Sequence, residues 1–320
     1  MHKIGVLTSG GDAPGMNAAI RSVVRTAIYN GMEVVGIKRG YDGLIDKDFC
    51  NMSIASVGSI IHKGGTILKT ARSPKFMTEE GRKAAVRNLQ EAGIEGIICI
   101  GGDGTFAGAA VLDSMGIPVM GIPGTIDNDM GFTDFTISFD TAVNTVLSAI
   151  SMIRDTGSSH ERTTIIEVMG RDCGDIALNA GLAGGADAIL IPELPLSVEE
   201  VADKLMAGLA RNKTHSIILK AEGVDISTDE LKEQLEEKTD LDIRTVVLAY
   251  LQRGGSPTAR DRLIATLIAN RAVELLRDDE ASMAIGIQKG DIIEVPIGEA
   301  VDITKEADLE LLPMIDMLSI

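Results

Sequence analysis

The 320-residue chain contains no tryptophan, and aromatic residues make up only 3% of it. Base-stacking platforms of the kind that hold single-stranded nucleic acid are therefore scarce. Positive charge is short as well: 30 Lys and Arg stand against 47 Asp and Glu, a formal net charge of −17. The average field of such a chain repels duplex nucleic acid and anionic membrane, and neither is expected as a partner. No apolar run approaches the roughly 18 residues of a membrane-spanning helix. The opening MHKIGVLTSGGD has neither the apolar core nor the cleavage site of a secretory leader. Cysteine is limited to Cys50, Cys99 and Cys173. An odd number without a CxxC pair fits reduced thiols and a cytoplasmic location. His2, His62, His160 and His215 show no zinc spacing. A GxSxG elbow and an obvious Cys–His pair are both missing, so a hydrolase triad is unsupported. Proline is low at 9 residues and glycine high at 35, with no triplet period, which excludes collagen.

What is present is globular: 45% apolar residues, enough chain for about two domains, and no low-complexity segment or solenoid repeat. Short β-branched runs alternate with longer amphipathic stretches. Strands are expected at 4–7, 34–37, 97–100, 119–122, 163–168, 217–220 and 245–251. Helices are expected at 16–29, 79–92, from the Gly-rich run after 100 through Leu112, at 141–154 and at 260–276. Ser227 with Glu230 has the spacing of a capping box, ahead of a helix with Leu231 and Leu235 on its apolar stripe. This alternation argues for mainly parallel sheets covered on both faces. A boundary falls near 138–140, where one α/β set closes and a long helix begins. The acids gather at the end: residues 291–320 hold eight acids and one Lys.

The chemistry lies in the loops that leave the strands. GGDAPGMN (10–17), GGDGT (101–105), PGTIDND (123–129), MGR (169–171), AEG (221–223) and QRGGSP (252–257) all sit at expected strand ends. In open parallel sheets that is where ligands bind. Gly10 and Gly15 have GxxxxG spacing, but Met16 and Asn17 replace the Lys and Ser or Thr of a P-loop. The run reads equally as a tight turn or as an anion site at a helix N-terminus. GGDGT is more specific. Gly101, Gly102 and Gly104 allow close approach of a phosphate chain, and Asp103 offers one hard oxygen ligand suited to phosphate-bound Mg²⁺. A plain Asp-Gly turn would join a hairpin, whereas this run joins a strand to a helix. In PGTIDND, Asp127 and Asp129 would point the same way on an extended segment and could divide the roles of base and contact. The bland alternative is an Asx-turn loop. An EF-hand is excluded, because Phe132 falls where Gly is required. Arg72, Arg154, Arg162, Arg171, Arg244 and Arg253 lie beside these turns or element ends. Singly each reads as a surface charge; together they offer forked phosphate contacts.

The runs TSGGDAPGMNAAIR, GGDGT, GIPGTIDND, MGR and LQRGGSP, in that order, resemble the bacterial ATP-dependent 6-phosphofructokinases along essentially the whole chain. GGDGT alone would also fit kinases of NAD or of diacylglycerol, but Arg162, MGR and QRGGSP suit a sugar phosphate. A non-catalytic nucleotide sensor would be expected to lack Asp103 or Asp127, and both are present. The resemblance implies two doubly wound, mainly parallel α/β domains with helices on both faces and an active-site cleft between them. An ATP-binding domain would take 1–138 and about 252–304, and a fructose 6-phosphate domain 139–251 and about 305–320. It implies transfer of the ATP γ-phosphoryl group to the 1-hydroxyl of fructose 6-phosphate in glycolysis, with allosteric control by ADP or phosphoenolpyruvate.

Residue by residue, the resemblance implies that Asp127 is the proton acceptor, with Thr125, Asp129, Arg72 and Arg171 as catalytic companions. It assigns Mg²⁺ to Asp103, and ATP to Gly11, Tyr41, Arg72, Ser73, Gly102, Asp103, Gly104 and Thr105. Sugar-phosphate contacts fall on Thr125, Ile126, Asp127, Met169, Gly170, Arg171, Glu222, Tyr250, Leu251, Gln252 and Arg253. Arg162 and Arg244 would reach in from a neighbouring subunit of a homotetramer. The effector site would draw on Arg21, Arg25, Arg154, Gly185, Ala186, Asp187, Arg211, Lys213, Thr214 and His215. Pyrophosphate-using relatives carry Asp and Lys where this chain has Gly104 and Gly124, so ATP is the expected donor. Three positions depart from the family pattern: Tyr250 replaces its usual His, Ile54 an Arg, and Asp187 the Glu of many members. The last two imply a weak or altered effector response.

Overall fold

A computed structural model describes residues 1–194 and 196–318. The last two residues of the expected 305–320 stretch lie outside the described residues. In chain order the first elements are β1 (Lys3–Thr8), α1 (Met16–Tyr29), β2 (Glu33–Ile37), α2 (Gly40–Asp46) and β3 (Phe49–Met52). Next come α3 (Glu79–Glu91), β4 (Gly96–Gly101), α4 (Asp103–Ser114), β5 (Val119–Pro123) and α5 (Phe139–His160). Then follow β6 (Thr163–Val168), α6 (Asp175–Gly184), β7 (Ala188–Leu190), α7 (Val198–Ala210) and β8 (Ser216–Ala221). The chain continues through α8 (Thr228–Thr239), β9 (Ile243–Val247), α9 (Ala259–Arg277), β10 (Met283–Gln288) and β11 (Asp291–Pro296). It divides into two units. The first comprises 1–126, 130–141 and 253–305; the second comprises 127–129, 142–252 and 306–320.

The first unit is built on a seven-stranded sheet in the order β11-β10-β5-β4-β1-β2-β3. Its five inner strands are parallel, with β3 and β11 added antiparallel at the edges. β4 (GIICIG) is buried along its whole length, as a run covered on both faces requires. α1 turns Ile20, Val23, Val24 and Ala27 inward at helical spacing and packs against α9. Strand order reverses between β4 and β1, so the loops leaving those two strands open at a topological switch point. The strand tips are tied by a hydrogen bond from Ser9 N to the Ile100 carbonyl at 3.0 Å.

The second unit holds an all-parallel sheet, β7-β8-β6-β9. β6 and β8 are its inner strands, and their tips are joined where Glu222 N donates to the Val168 carbonyl at 2.8 Å.

Three local expectations are revised. The strand expected over 245–251 ends at Val247, and Ala249–Arg253 forms a 3₁₀ turn. Ala249 has a positive φ of 42°, which extended backbone does not allow. The helix expected over 141–154 runs from Phe139 to His160. Ser227 accepts from Glu230 N as a cap should, but the Glu230 carboxylate accepts from Gln234 Nε2 on its own helix. A reciprocal capping box forms instead at Ser197 and Glu200, ahead of α7.

Candidate active site

In the first unit the site grows from the tips of β1 and β4. α1 begins after Gly15, at φ 113°, and α4 after Gly102; neither first turn is capped by a side chain. Their leading amides face the switch point with positive dipole ends. The GGDGT run bends so tightly that a Cβ at Gly101 would collide with Thr105 and lie 2.5 Å from the Ser9 carbonyl oxygen. Thr105 is 2% exposed, and its hydroxyl has no hydrogen-bond partner. A buried hydroxyl without a partner beside glycine backbone fits a bound oxyanion. Tyr41 lies beneath this loop, buried, stacked on Phe76 at 4.3 Å, and donating its hydroxyl to the Thr105 carbonyl at 2.5 Å. Burial raises the Tyr41 pKa well above its ordinary value. Arg72 is exposed, and Ser73 donates its hydroxyl to Asp42. Arg253 lies over Gly11: a Cβ there would come within 2.9 Å of its Nη1. Thr125 faces Gly102, and its carbonyl accepts from Thr136 Oγ1 at 2.7 Å; Ile126 is buried.

Asp103 stands exposed in the first turn of α4. Among the described residues no group of three His, Cys, Asp or Glu side chains could hold a metal ion. The exposed Asp103 carboxylate fits Mg²⁺ carried by a nucleotide, which needs one or two protein carboxylates and takes its other oxygens from phosphate and water.

The second unit gathers a further set of candidate residues. Asp127 is 2% exposed, and its Oδ2 lies 3.2 Å from Arg171 Nε. Asp129 Oδ2 lies 3.5 Å from Arg171 Nη1. Both carboxylates thus reach one guanidinium, but not on an extended segment. Asn128 between them is left-handed, at φ 55°. Arg171 also has a positive φ of 54°. Glu222 Oε1 holds that turn by accepting from Gly170 N at 3.2 Å and Arg171 N at 2.9 Å. Gln252 is fully buried; its Oε1 accepts from Met169 N and its Nε2 donates to the Ala249 carbonyl. Tyr250 and Leu251 are exposed beside it. Burial, with Asp175, Glu193 and Asp129 adding negative charge nearby, pushes the Cys173 thiol up to about 12.

Arg162 and Arg244 form a different cluster, both on Asp242 at 2.8 and 3.2 Å. Arg162 precedes β6, and Arg244 pairs with Thr164 near the start of that strand. Arg171 follows the other end. At about 3.3 Å per residue, a six-residue strand puts roughly 20 Å between the two groups.

Of the expected effector residues, Lys213 pairs with Asp187, whose Oδ2 also accepts from Ile217 N. Arg154 donates to the Gly184 and Gly185 carbonyls at the end of α6. Ala186 is buried, Arg211 and Thr214 are exposed, and His215 Nδ1 is buried without a hydrogen-bond partner. Arg21 and Arg25 lie on α1, and Ile54 is 53% exposed. Sequence reasoning passed over Asn128 and Asp175, which meet at 2.7 Å. The one available signal was an Asn between two acids, a residue type that tolerates left-handed backbone.

Glycine-lined strand tips at a switch point and a carboxylate–arginine pair at a second sheet define a phosphoryl-handling α/β class of enzyme. Residues 3–276 match the family model described as Phosphofructokinase, and the chain belongs to that family. It is 54% identical over 320 residues, the whole of both chains, to an ATP-dependent 6-phosphofructokinase of Clostridioides difficile strain 630. A protein of the same name from Alkaliphilus metalliredigens strain QYMF is also 54% identical over 320 residues and the full length of both. Among solved structures, phosphofructokinase from Saccharomyces cerevisiae matches with a TM-score of 0.90 at 35% identity, covering 100% of this chain. This chain spans about half of that one, 48% of its length.

Proposed function

We propose that this chain phosphorylates D-fructose 6-phosphate at the 1-hydroxyl with MgATP, giving fructose 1,6-bisphosphate and ADP, as a glycolytic kinase of the cytoplasm. The observation that carries the reading is the nearly buried Asp127 carboxylate held 3.2 Å from the Arg171 guanidinium. Phosphoryl transfer asks a protein for positioning and for charge neutralisation. Asp127 accepts the hydroxyl proton as oxygen attacks phosphorus. Arg171, steadied by Asp129 and by the Glu222 clamp on its backbone, and Arg72 neutralise the transferring oxygens. In the first unit, Gly11, Gly102, Gly104 and Thr105 cradle the triphosphate, while Tyr41 and Ser73 support that surface. Asp103 holds Mg²⁺, which when bound offsets phosphate charge. Thr125, Ile126, Met169, Gly170, Tyr250, Leu251, Gln252 and Arg253 complete the sugar-phosphate site.

Arg162 and Arg244 serve a neighbouring copy in a homotetramer. Their position at the far end of β6 from Arg171 supports that reading, since one chain cannot bring both groups to one phosphate. The effector site binds ADP or phosphoenolpyruvate weakly, because Ile54 brings no charge and Lys213 is already paired with Asp187.

A coupled assay with fructose 6-phosphate and MgATP tests the assignment. General base catalysis is typically worth about 10²–10⁴-fold. Asp127→Asn and Asp127→Ser are expected to lower kcat by at least that order with modest change in KM. Near-normal kcat in Asp127→Ser would remove Asp127 from the role.

A further inference from the structure

Behind the reacting carboxylates lies a side-chain pair to which the reaction gives no role. Asn128 separates Asp127 from Asp129, is 2% exposed, and adopts φ 55°. Residues bearing a Cβ avoid this conformation, and asparagine is among the few that adopt it. Its Nδ2 donates to Asp175 Oδ2 at 2.7 Å, a buried bond spanning 47 residues of sequence. Asp175 opens α6 and is 6% exposed. Its backbone is tied down as well, because its carbonyl accepts from Asn179 Nδ2 at 2.9 Å. The acceptor is thus fixed to a helix, while the donor sits on a turn that backbone preference alone would not hold. On either side of that donor, Asp127 and Asp129 reach Nε and Nη1 of the same guanidinium.

We propose that Asp175 is a positioning residue for phosphoryl transfer: by accepting the hydrogen bond from the Asn128 side-chain amide it locks the left-handed turn that aims the Asp127 carboxylate. The inference rests on Asp127 as the proton acceptor. Without the bond, the turn loses its buried side-chain tie to α6, and the two carboxylates shift in their common alignment on Arg171. Misplacement of a reacting group by about 1 Å can cost about 10²-fold in rate. The effect falls on kcat, because the triphosphate cradle of the first unit is built from other residues.

Steady-state kinetics and thermal melts on the full-length protein test this with four variants. Asn128→Gly keeps a residue at ease in the left-handed region and removes only the side-chain bond. Asn128→Gly and Asp175→Ala are each expected to lower kcat about 10- to 100-fold, with KM for ATP within about threefold. The double variant should be no slower than the worse single one, since the same bond is lost only once. Asp175→Asn, whose amide oxygen can still accept, should recover kcat at least about threefold over Asp175→Ala. If Asp175→Ala does not fold, Asn128→Gly and Asp175→Asn carry the test. Asp127→Asn is run beside them. If it keeps wild-type kcat, the reading of the base fails. If it is inactive while Asn128→Gly turns over normally, positioning by Asp175 is overturned. Losses that multiply in the double variant, or lowered melting temperatures with unchanged kcat, overturn it equally.

Discussion

At the residue scale, the structure separates two glycines that the sequence treats alike. An ideal Cβ at Gly104 meets nothing within 4 Å, whereas one at Gly124 lies 3.0 Å from the Ile100 side chain. A side chain at position 104 would enter open space, whereas one at position 124 would press on Ile100. Gly104→Asp is therefore expected to fold with an unchanged melting temperature. It should raise KM for ATP by at least about tenfold, by placing a second carboxylate against the triphosphate. A variant that melts normally and keeps its ATP KM would show that this position does not shape the donor site. The thiols give a second expectation. Burial pushes Cys99 and Cys173 up to about 12, so in the fold both remain thiols far above the ordinary range near pH 8.5. From these two groups, stability is fully present below the unfolded value, about pH 8.5. It falls as pH rises toward 12, because the unfolded chain ionises first. Urea melts at rising alkaline pH should show this decline, and replacing both cysteines with alanine should flatten it. The candidate residues were legible one at a time, since Asp103, Asp127 and Arg171 stand in distinctive runs. The Asn128–Asp175 bond was not, because no local pattern announces a contact 47 residues away.

At the scale of elements, the inner strands β1, β2, β4, β5, β6 and β8 were readable from their apolar, β-branched runs, as in IICI of β4; the inner strand β10, MAIGIQ, was not expected. Nor were the edges β3, β11 and β7. β3 is mostly half-buried and β11 largely exposed, and β7 has three residues; none carries a run long enough to exceed background. Helix ends were set by contacts distant in sequence. Asp261, in the first turn of α9, accepts from Ser138 N at 3.0 Å, Thr141 N at 2.8 Å and Thr141 Oγ1. One buried carboxylate thus fixes the start of α5 and the unusual Ser138 backbone, at φ 99°. Burial raises its pKa even so, the three bonds opposing but not cancelling desolvation. Asp261→Ala would strand two buried amides, each costing about 1–3 kcal/mol, and is expected to lower stability by roughly 2–5 kcal/mol in urea melts. A loss under about 1 kcal/mol would mean that water satisfies those amides.

At the scale of the whole molecule, a net charge of −17 must coexist with anionic substrates, and local arginines are how it does so. How each is spent decides function. Arg171 is held by the Asp127 and Asp129 carboxylates, while Arg162 and Arg244 share Asp242. At the expected effector site the cations are largely occupied. Arg154 is hydrogen-bonded to two carbonyls, and Lys213 is paired with an aspartate anchored by a backbone amide. A nucleotide phosphate arriving there must compete with a carboxylate already in place, and Ile54 contributes no compensating charge. One missing charge-assisted bond is worth about 1.5–3 kcal/mol, roughly 10- to 150-fold in affinity. Saturation curves for fructose 6-phosphate, measured with and without millimolar ADP, are therefore expected to superimpose within about twofold. Ile54→Arg should restore a leftward shift with ADP, and Asp187→Ala, by releasing Lys213, should strengthen it further. Strong activation of the unaltered protein by ADP would show that the Asp187–Lys213 pair opens to bind nucleotide at little energetic cost, and that the charge at position 54 is dispensable.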